Sequence, residues 1–93
     1  MEDKITRDKL DKYRDLTSNA LSIVKNSIVK TKLKQANEII TMVSNYLSDA
    51  EYFESRGNFI DAFAAINYAH GWLDSGVRLG IFRVKDDKLF TVK

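Results

Sequence analysis

The stretch "GNFIDAFAAINYAHGWLDSGVRLG", residues 57–80, decides the fold. Asn58 offers a side-chain oxygen that can accept backbone N–H groups at a helix start, and Asp61 suits the positive end of the helix dipole. From there Ala62, Ala65, Ile66, Ala69, Leu73, Gly76 and Val77, with Tyr68 and Trp72, recur at helical spacing. They fill an arc of about 180°, broader than a helix with a single neighbour requires. The spacing therefore predicts a third helix, running to about Leu79, that touches two partners. Ala62, Ala65, Ala69 and Gly76 lie in the middle of the arc, where small side chains let another backbone come close. That gives Gly76 a packing reason. Gly80 suits a helix stop before "IFRV".

Upstream, Leu33, Ala36, Ile39, Ile40, Val43, Tyr46, Leu47, Ala50 and Phe53 keep helical spacing as far as Gly57, where a left-handed cap would end a second helix. Between Asp3 and Val24, the residues Leu10, Tyr13, Leu16, Ala20, Leu21 and Val24 mark a first helix. Its outer face carries opposite charges four apart (Asp3 with Arg7, Lys4 with Asp8, Asp8 with Lys12), each pair supporting a helix by about 0.2–0.5 kcal/mol. These read as a solvated face. No glycine or proline separates the first two helices, but at about 100° per residue the centre of the apolar stripe shifts by about 110° between them. One straight helix cannot bury both stripes against one core, so a turn falls between Lys25 and Lys32, with Asn26, Ser27 or Thr31 as candidate cap.

Short connections make neighbouring helices antiparallel. The expectation is an all-α protein, an up-down-up three-helix bundle over residues 1–80 with a short C-terminal extension over 81–93. That extension, "IFRVKDDKLFTVK", alternates weakly about Asp86-Asp87 and is a candidate β-hairpin. An isolated hairpin is marginal, so it needs the bundle beneath it or a partner to order it.

Composition narrows the function classes. A chain of 93 residues fits one small domain that buries about 60–65% of its unfolded surface. It is 44% hydrophobic and 30% charged with no proline, as a helix-rich globule would be. The absence of cysteine removes disulfides, thiolate metal sites and a cysteine nucleophile together. "MEDKITRDKL" lacks the apolar core of a secretory signal, and no apolar run reaches the roughly 20 residues that cross a bilayer. The reading is a soluble cytoplasmic protein without a membrane role.

Charge is segregated along the chain. Residues 16–37 carry Lys25, Lys30, Lys32 and Lys34 with no acid, residues 38–80 have a net charge of −4, and the tail sets Arg83, Lys85, Lys88 and Lys93 against Asp86 and Asp87. In an up-down-up bundle both basic clusters share one end, and Glu2, Asp3, Glu51, Glu54 and Asp61 gather at the other. A basic end with Phe82 and Phe90 nearby suggests phosphates held by charge and bases held by stacking, through Lys25, Lys30, Lys32, Lys34, Arg83, Lys85 and Lys88. RNA or DNA binding is therefore one reading, set against the lysine-rich ends common on small soluble domains.

Asn67, His70, Asp74 and Arg78 form the polar stripe of the third helix. His70 and Asp74, four apart, are spaced to hydrogen bond, and a carboxylate beside imidazole suits acid-base chemistry. With Asp49 they make a third, enzymatic reading. It lacks a nucleophile, an oxyanion site or a phosphate loop, so a structural or surface pair is the better expectation. No cofactor, metal set or small-molecule substrate is implied.

The run Tyr46–Phe82, about 40% of the chain, resembles the archaeal family known as domain of unknown function 357. The shared pattern is Tyr46, Asp49-Ala50, Tyr52-Phe53, Gly57, Ala62, then Tyr68-Ala69, Gly71-Trp72-Leu73-Asp74, Gly76 and Leu79-Gly80. The resemblance implies a small helical bundle in an archaeal cytoplasm with no established activity, and it makes Asp49, Tyr68, Gly71, Trp72 and Asp74 family-typical while His70 occupies a variable position. Residues before Lys30 match that pattern only in helical character. Ala50, Phe53, Gly57, Phe59, Ala62, Ile66 and Ala69 are also spaced like one tetratricopeptide helix pair, but a single unit falls short of the three or so that a solenoid needs. The Arg-x-x-x-x-His motif of HEPN-type nucleases does not occur. The leading expectation is a non-enzymatic protein-interaction module or small homo-oligomer. Its surface includes Tyr68, Trp72, Met42 and Phe53, exposed where the apolar arcs of the second and third helices exceed what the first can cover.

Overall fold

A computed structural model describes residues 4–85 and residue 90. The protein is all-α: α1 spans Arg7–Lys25, a 3-10 turn Lys30–Lys32, α2 Leu33–Ser55 and α3 Phe59–Arg78. Thr6 caps α1, its hydroxyl accepting from the Lys9 amide at 3.1 Å. At the far end of α1, the Asn26 side chain donates to the Ser22 carbonyl (3.2 Å) and the Ser27 hydroxyl to that of Ile23 (2.7 Å). The turn thus falls where the shift of the apolar stripe places it, but Asn26 and Ser27 close α1 rather than open α2. The N-cap of α2 is Lys32, which makes no side-chain cap bond. Asn58 stands at the N-cap of α3, again without a side-chain bond, and its carbonyl accepts from the Ala62 amide at 3.0 Å. Gly57 and Gly80, both at φ 76°, end α2 and α3 in the left-handed conformation that glycine adopts without steric cost.

As the wide arc predicts, α3 packs against both other helices, whereas α1 and α2 touch each other little. The pairings that set the layout are few. Along α1 and α3 they run Arg7 over the Phe59 ring, Tyr13 edge-on to Phe63 with centroids 5.2 Å apart, and Thr17 against His70. Between α2 and α3, Tyr46 meets Tyr68 edge-on at 4.7 Å.

The core has two parts. Leu10, Ala50, Ala62, Ala65 and Ile66 form one, with Phe53, Phe59 and Phe63 packed against it. Ala20, Val24, Ala36, Ile39, Val43, Ala69 and Leu73 form the other, and Ile81, Phe82 and Phe90 from the C-terminal segment complete it. The extension therefore contributes these three residues to the core. Its first residues pair with the α1–α2 connection: Ile28 and Phe82 form an antiparallel bridge, the Val29 amide donates to the Ile81 carbonyl (3.1 Å), and the Arg83 amide donates to the Ser27 carbonyl (2.8 Å). The expected turn at Asp86-Asp87, and Lys88 with it, lies outside the described residues.

Gly76 does have a packing reason, although the partner is a ring and not a backbone. A Cβ there would lie 2.5 Å and 2.7 Å from two carbons of the Phe82 ring and 3.1 Å from Ile39 Cδ1. Thr17, absent from the expected apolar stripe, is buried with its hydroxyl 3.0 Å from His70 Nδ1. At the other end of the molecule, Glu54 receives Arg7 and Arg14 from α1, and Arg14 also reaches Asp11 at 3.1 Å. One acid of the end expected to be acidic, Glu54, is thus paired with two arginines from α1. Among the described residues no helix is long and apolar enough to cross a membrane.

Candidate interaction site

Helices α2 and α3 leave part of their apolar arcs uncovered. Leu33 and Tyr68 are 53% and 55% exposed although each lies on the expected core side of its helix, and Leu79, at the end of α3, is 71% exposed. Trp72 and Met42 are half-buried, and between them runs a groove of about 750 Å³ floored by Ile39, Ile81, Met42, Trp72 and Leu79, with Lys34, Gln35, Asn37, Glu38 and Thr41 on its rim. The groove is lined by Ile39 and Met42, three residues apart on one face of α2, by Trp72 of α3 and its C-cap Leu79, and by Ile81 just after Gly80.

The four expected surface residues divide. Trp72 and Met42 share this groove, while Tyr68 and Phe53 line a second hollow of about 450 Å³ with Tyr46, Asp49, Asp61, Ala64 and Ala65. A third hollow, of about 280 Å³, holds His70 and Asp74 with Tyr13, Leu16, Thr17, Asn67 and Gly71. Asp49 therefore stands apart from His70 and Asp74, and the three polar candidates do not form one constellation. The His70 imidazole is engaged by the Thr17 hydroxyl and lies against the Phe90 ring, with centroids 6.4 Å apart and planes at 28°. No group of three or more potential metal ligands occurs among the described residues.

The basic clusters do meet in part. Lys30 and Arg83 line one hollow of about 540 Å³ with Asn26, Ser27, Ile28, Val29 and Thr31. Lys25, Lys32, Lys34 and Lys85 are exposed, with Lys25 in the last turn of α1 and Lys34 on the apolar groove. Phe82 and Phe90, expected as stacking platforms for bases, are instead 2% and 4% exposed. Burial in the core takes both rings out of reach of a nucleobase. The fold-back of residues 81–83 against the α1–α2 connection accompanies the burial of Phe82, and the weak alternation of "IFRVKDD" carries no sign of it.

Gly71 lines the hollow of His70 and Asp74, and the packing does not explain why a glycine stands there. It sits mid-helix and exposed, and a Cβ built on it would meet nothing within 4 Å.

A family model described as "Protein of unknown function (DUF357)" matches residues 12–82. The match therefore takes in most of α1, well upstream of the Tyr46–Phe82 motif. No curated protein and no solved structure matches the chain.

Proposed function

We propose that this chain, which belongs to the DUF357 family of proteins of unknown function, is a non-enzymatic protein-interaction module that binds through the groove between α2 and α3. The observation that carries the reading is the groove itself: a hollow of about 750 Å³ with an apolar floor, edged by a Leu79 that is 71% exposed. Concave apolar surfaces with a few polar rim groups are where soluble proteins take up partners. The proposal includes the up-down-up arrangement. It is supported by α1 and α3 pairing early residues with early ones (Arg7 with Phe59, Thr17 with His70), while Ile39 of α2 lies near Gly76 and Tyr46 near Tyr68. A cytoplasmic setting in an archaeon belongs to the same proposal and rests on the family resemblance of Tyr46–Phe82.

The test is comparative capture. Tagged wild-type protein, Leu79→Glu and Met42→Glu are incubated with native extract beside Ile60→Glu, a control at an exposed position near the start of α3. The reading expects partners retained by wild type and Ile60→Glu and lost by both groove variants. Capture equal across all four proteins refutes it.

One observation favours a second reading. Lys30 and Arg83, distant in sequence, line one hollow, a geometry suited to phosphates. Fluorescence anisotropy of single-stranded RNA at about 50 and 200 mM salt, with Lys30, Lys32 and Lys34 changed to serine, decides it. Nucleic-acid binding requires a steep loss with salt and a weaker triple variant.

A further inference from the structure

The groove and the basic hollow are neighbours. Ile81 lines the first and Arg83 the second, and they flank Phe82, whose bridge to Ile28 ties the extension to the α1–α2 connection. Lys34 on the groove and Lys30 on the hollow are four positions apart in sequence, at the junction of the 3-10 turn and α2. An apolar trough thus opens beside Lys30, Lys34 and Arg83, all exposed, with Glu38 as the one acid on its rim among the described residues.

We infer that the occupant of the groove is an acidic amphipathic segment of a partner protein, its apolar face on Trp72, Met42 and Leu79 and its carboxylates over Lys30, Lys34 and Arg83. The inference rests on the interaction reading above and names the partner's chemistry. Helix-in-groove recognition needs an apolar stripe for the trough and a flank of sign opposite to the rim. A second copy of this chain fits poorly, because a two-fold interface sets the same patch against itself and would bring two lysine sets together. Like-charge juxtaposition of that kind disfavours association. A nucleic acid would satisfy the lysines but leave the apolar trough uncovered, and the rings of Phe82 and Phe90 are unavailable for stacking.

The test is selection of random 16-residue peptides on the full-length protein, read by the emission of Trp72, the chain's single tryptophan. The expected peptides carry apolar residues at positions i, i+3, i+4 and i+7 with an acidic flank, shift Trp72 emission to the blue, and lose binding to Leu79→Glu. Charge-reversed twins, lysine for each acid, should bind about tenfold more weakly at low salt, with the gap narrowing as salt screens the charges. Lys30→Glu combined with Lys34→Glu should invert the preference; both residues are exposed, and an unchanged helical circular dichroism signal confirms that the variant folds. Peptides that need Leu79 but show no acidic preference overturn this inference and leave the interaction reading standing. Failure to select any peptide, or selection of peptides indifferent to Leu79→Glu, overturns both. Self-association abolished by Leu79→Glu, or RNA that competes with the peptides at Trp72, overturns the inference in favour of that occupant.

Discussion

Two glycines in one helix respond oppositely to the same substitution, and the difference isolates a single contact. Gly71→Ala adds a methyl group where nothing lies within 4 Å, so it collects the helix propensity of alanine over glycine, about 0.8–1.0 kcal/mol. Gly76→Ala collects the same term but drives its Cβ to 2.5 Å and 2.7 Å from the Phe82 ring. That ring cannot swing aside freely. It is 2% exposed, the Phe82 amide donates to the Gly76 carbonyl at 3.3 Å, and the next amide is held by Ser27. Overpacking of this kind costs about 1–3 kcal/mol, so the net for Gly76→Ala is a loss of about 0–2 kcal/mol. In a domain of this size each kcal/mol moves Tm by about 4–8 °C. Thermal and urea melts followed by helical circular dichroism should therefore show Gly71→Ala above wild type and Gly76→Ala level with it or below. In a Phe82→Leu background the penalty at Gly76 should shrink, since the two residues are directly coupled. Equal stabilisation by both alanines would refute the claim that Phe82 packs on Gly76.

Other expectations follow from contacts of the same kind. Phe90→Ala should cost about 3–5 kcal/mol in urea melts, because the ring is 4% exposed within the second core cluster; a loss below 1 kcal/mol would mean that the ring does not sit in the core. Thr17→Val, nearly isosteric, should cost about 1 kcal/mol and change the nitrogen chemical shift of His70 Nδ1, 3.0 Å from the hydroxyl. Glu54→Ala leaves Arg7 and Arg14 without their shared carboxylate and should cost about 1–3 kcal/mol, with a double-mutant cycle against Arg14→Ala showing non-additivity. Strict additivity there would place the arginines elsewhere in solution.

Local pattern carried much of this architecture. Gly57 and Gly80 announce the ends of α2 and α3 because left-handed caps are a property of single residues. The width of the α3 arc announces two neighbours because burial follows the 3.6-residue period. The phase shift between the stripes of α1 and α2 located their turn without any breaker residue. What stayed hidden is non-local. Arg7 reads as half of a helical pair with Asp3, yet it reaches Glu54, 47 positions away. Nothing in the spacing of α1 distinguishes an outward arginine from one that crosses the bundle. Thr17 is absent from the expected apolar stripe because a hydroxyl is buried only when a partner exists, and His70 lies 53 positions on. Phe82 reads as an exposed aromatic on a basic tail because its burial goes with the docking of residues 81–83 against 27–29. The candidate site was legible in its apolar half, Trp72 and Met42, and illegible where Ile81 and the extension close it.

The bridge between Ile28 and Phe82 also has a consequence for the order of assembly. Two elements adjacent in sequence, α2 and α3, share the most extensive interface and can meet as soon as both exist. Val24 and Ala20 of α1, by contrast, belong to a cluster completed by Phe82 and Phe90. At synthesis rates of about 5–20 residues per second, α1 is made several seconds before the rings that complete its burial. For most of that interval α3 is also unmade, so the apolar face of α1 lacks both the helix and the rings that bury it. Folding of this chain should accordingly be limited by a late, long-range closure, and not by the formation of its helices.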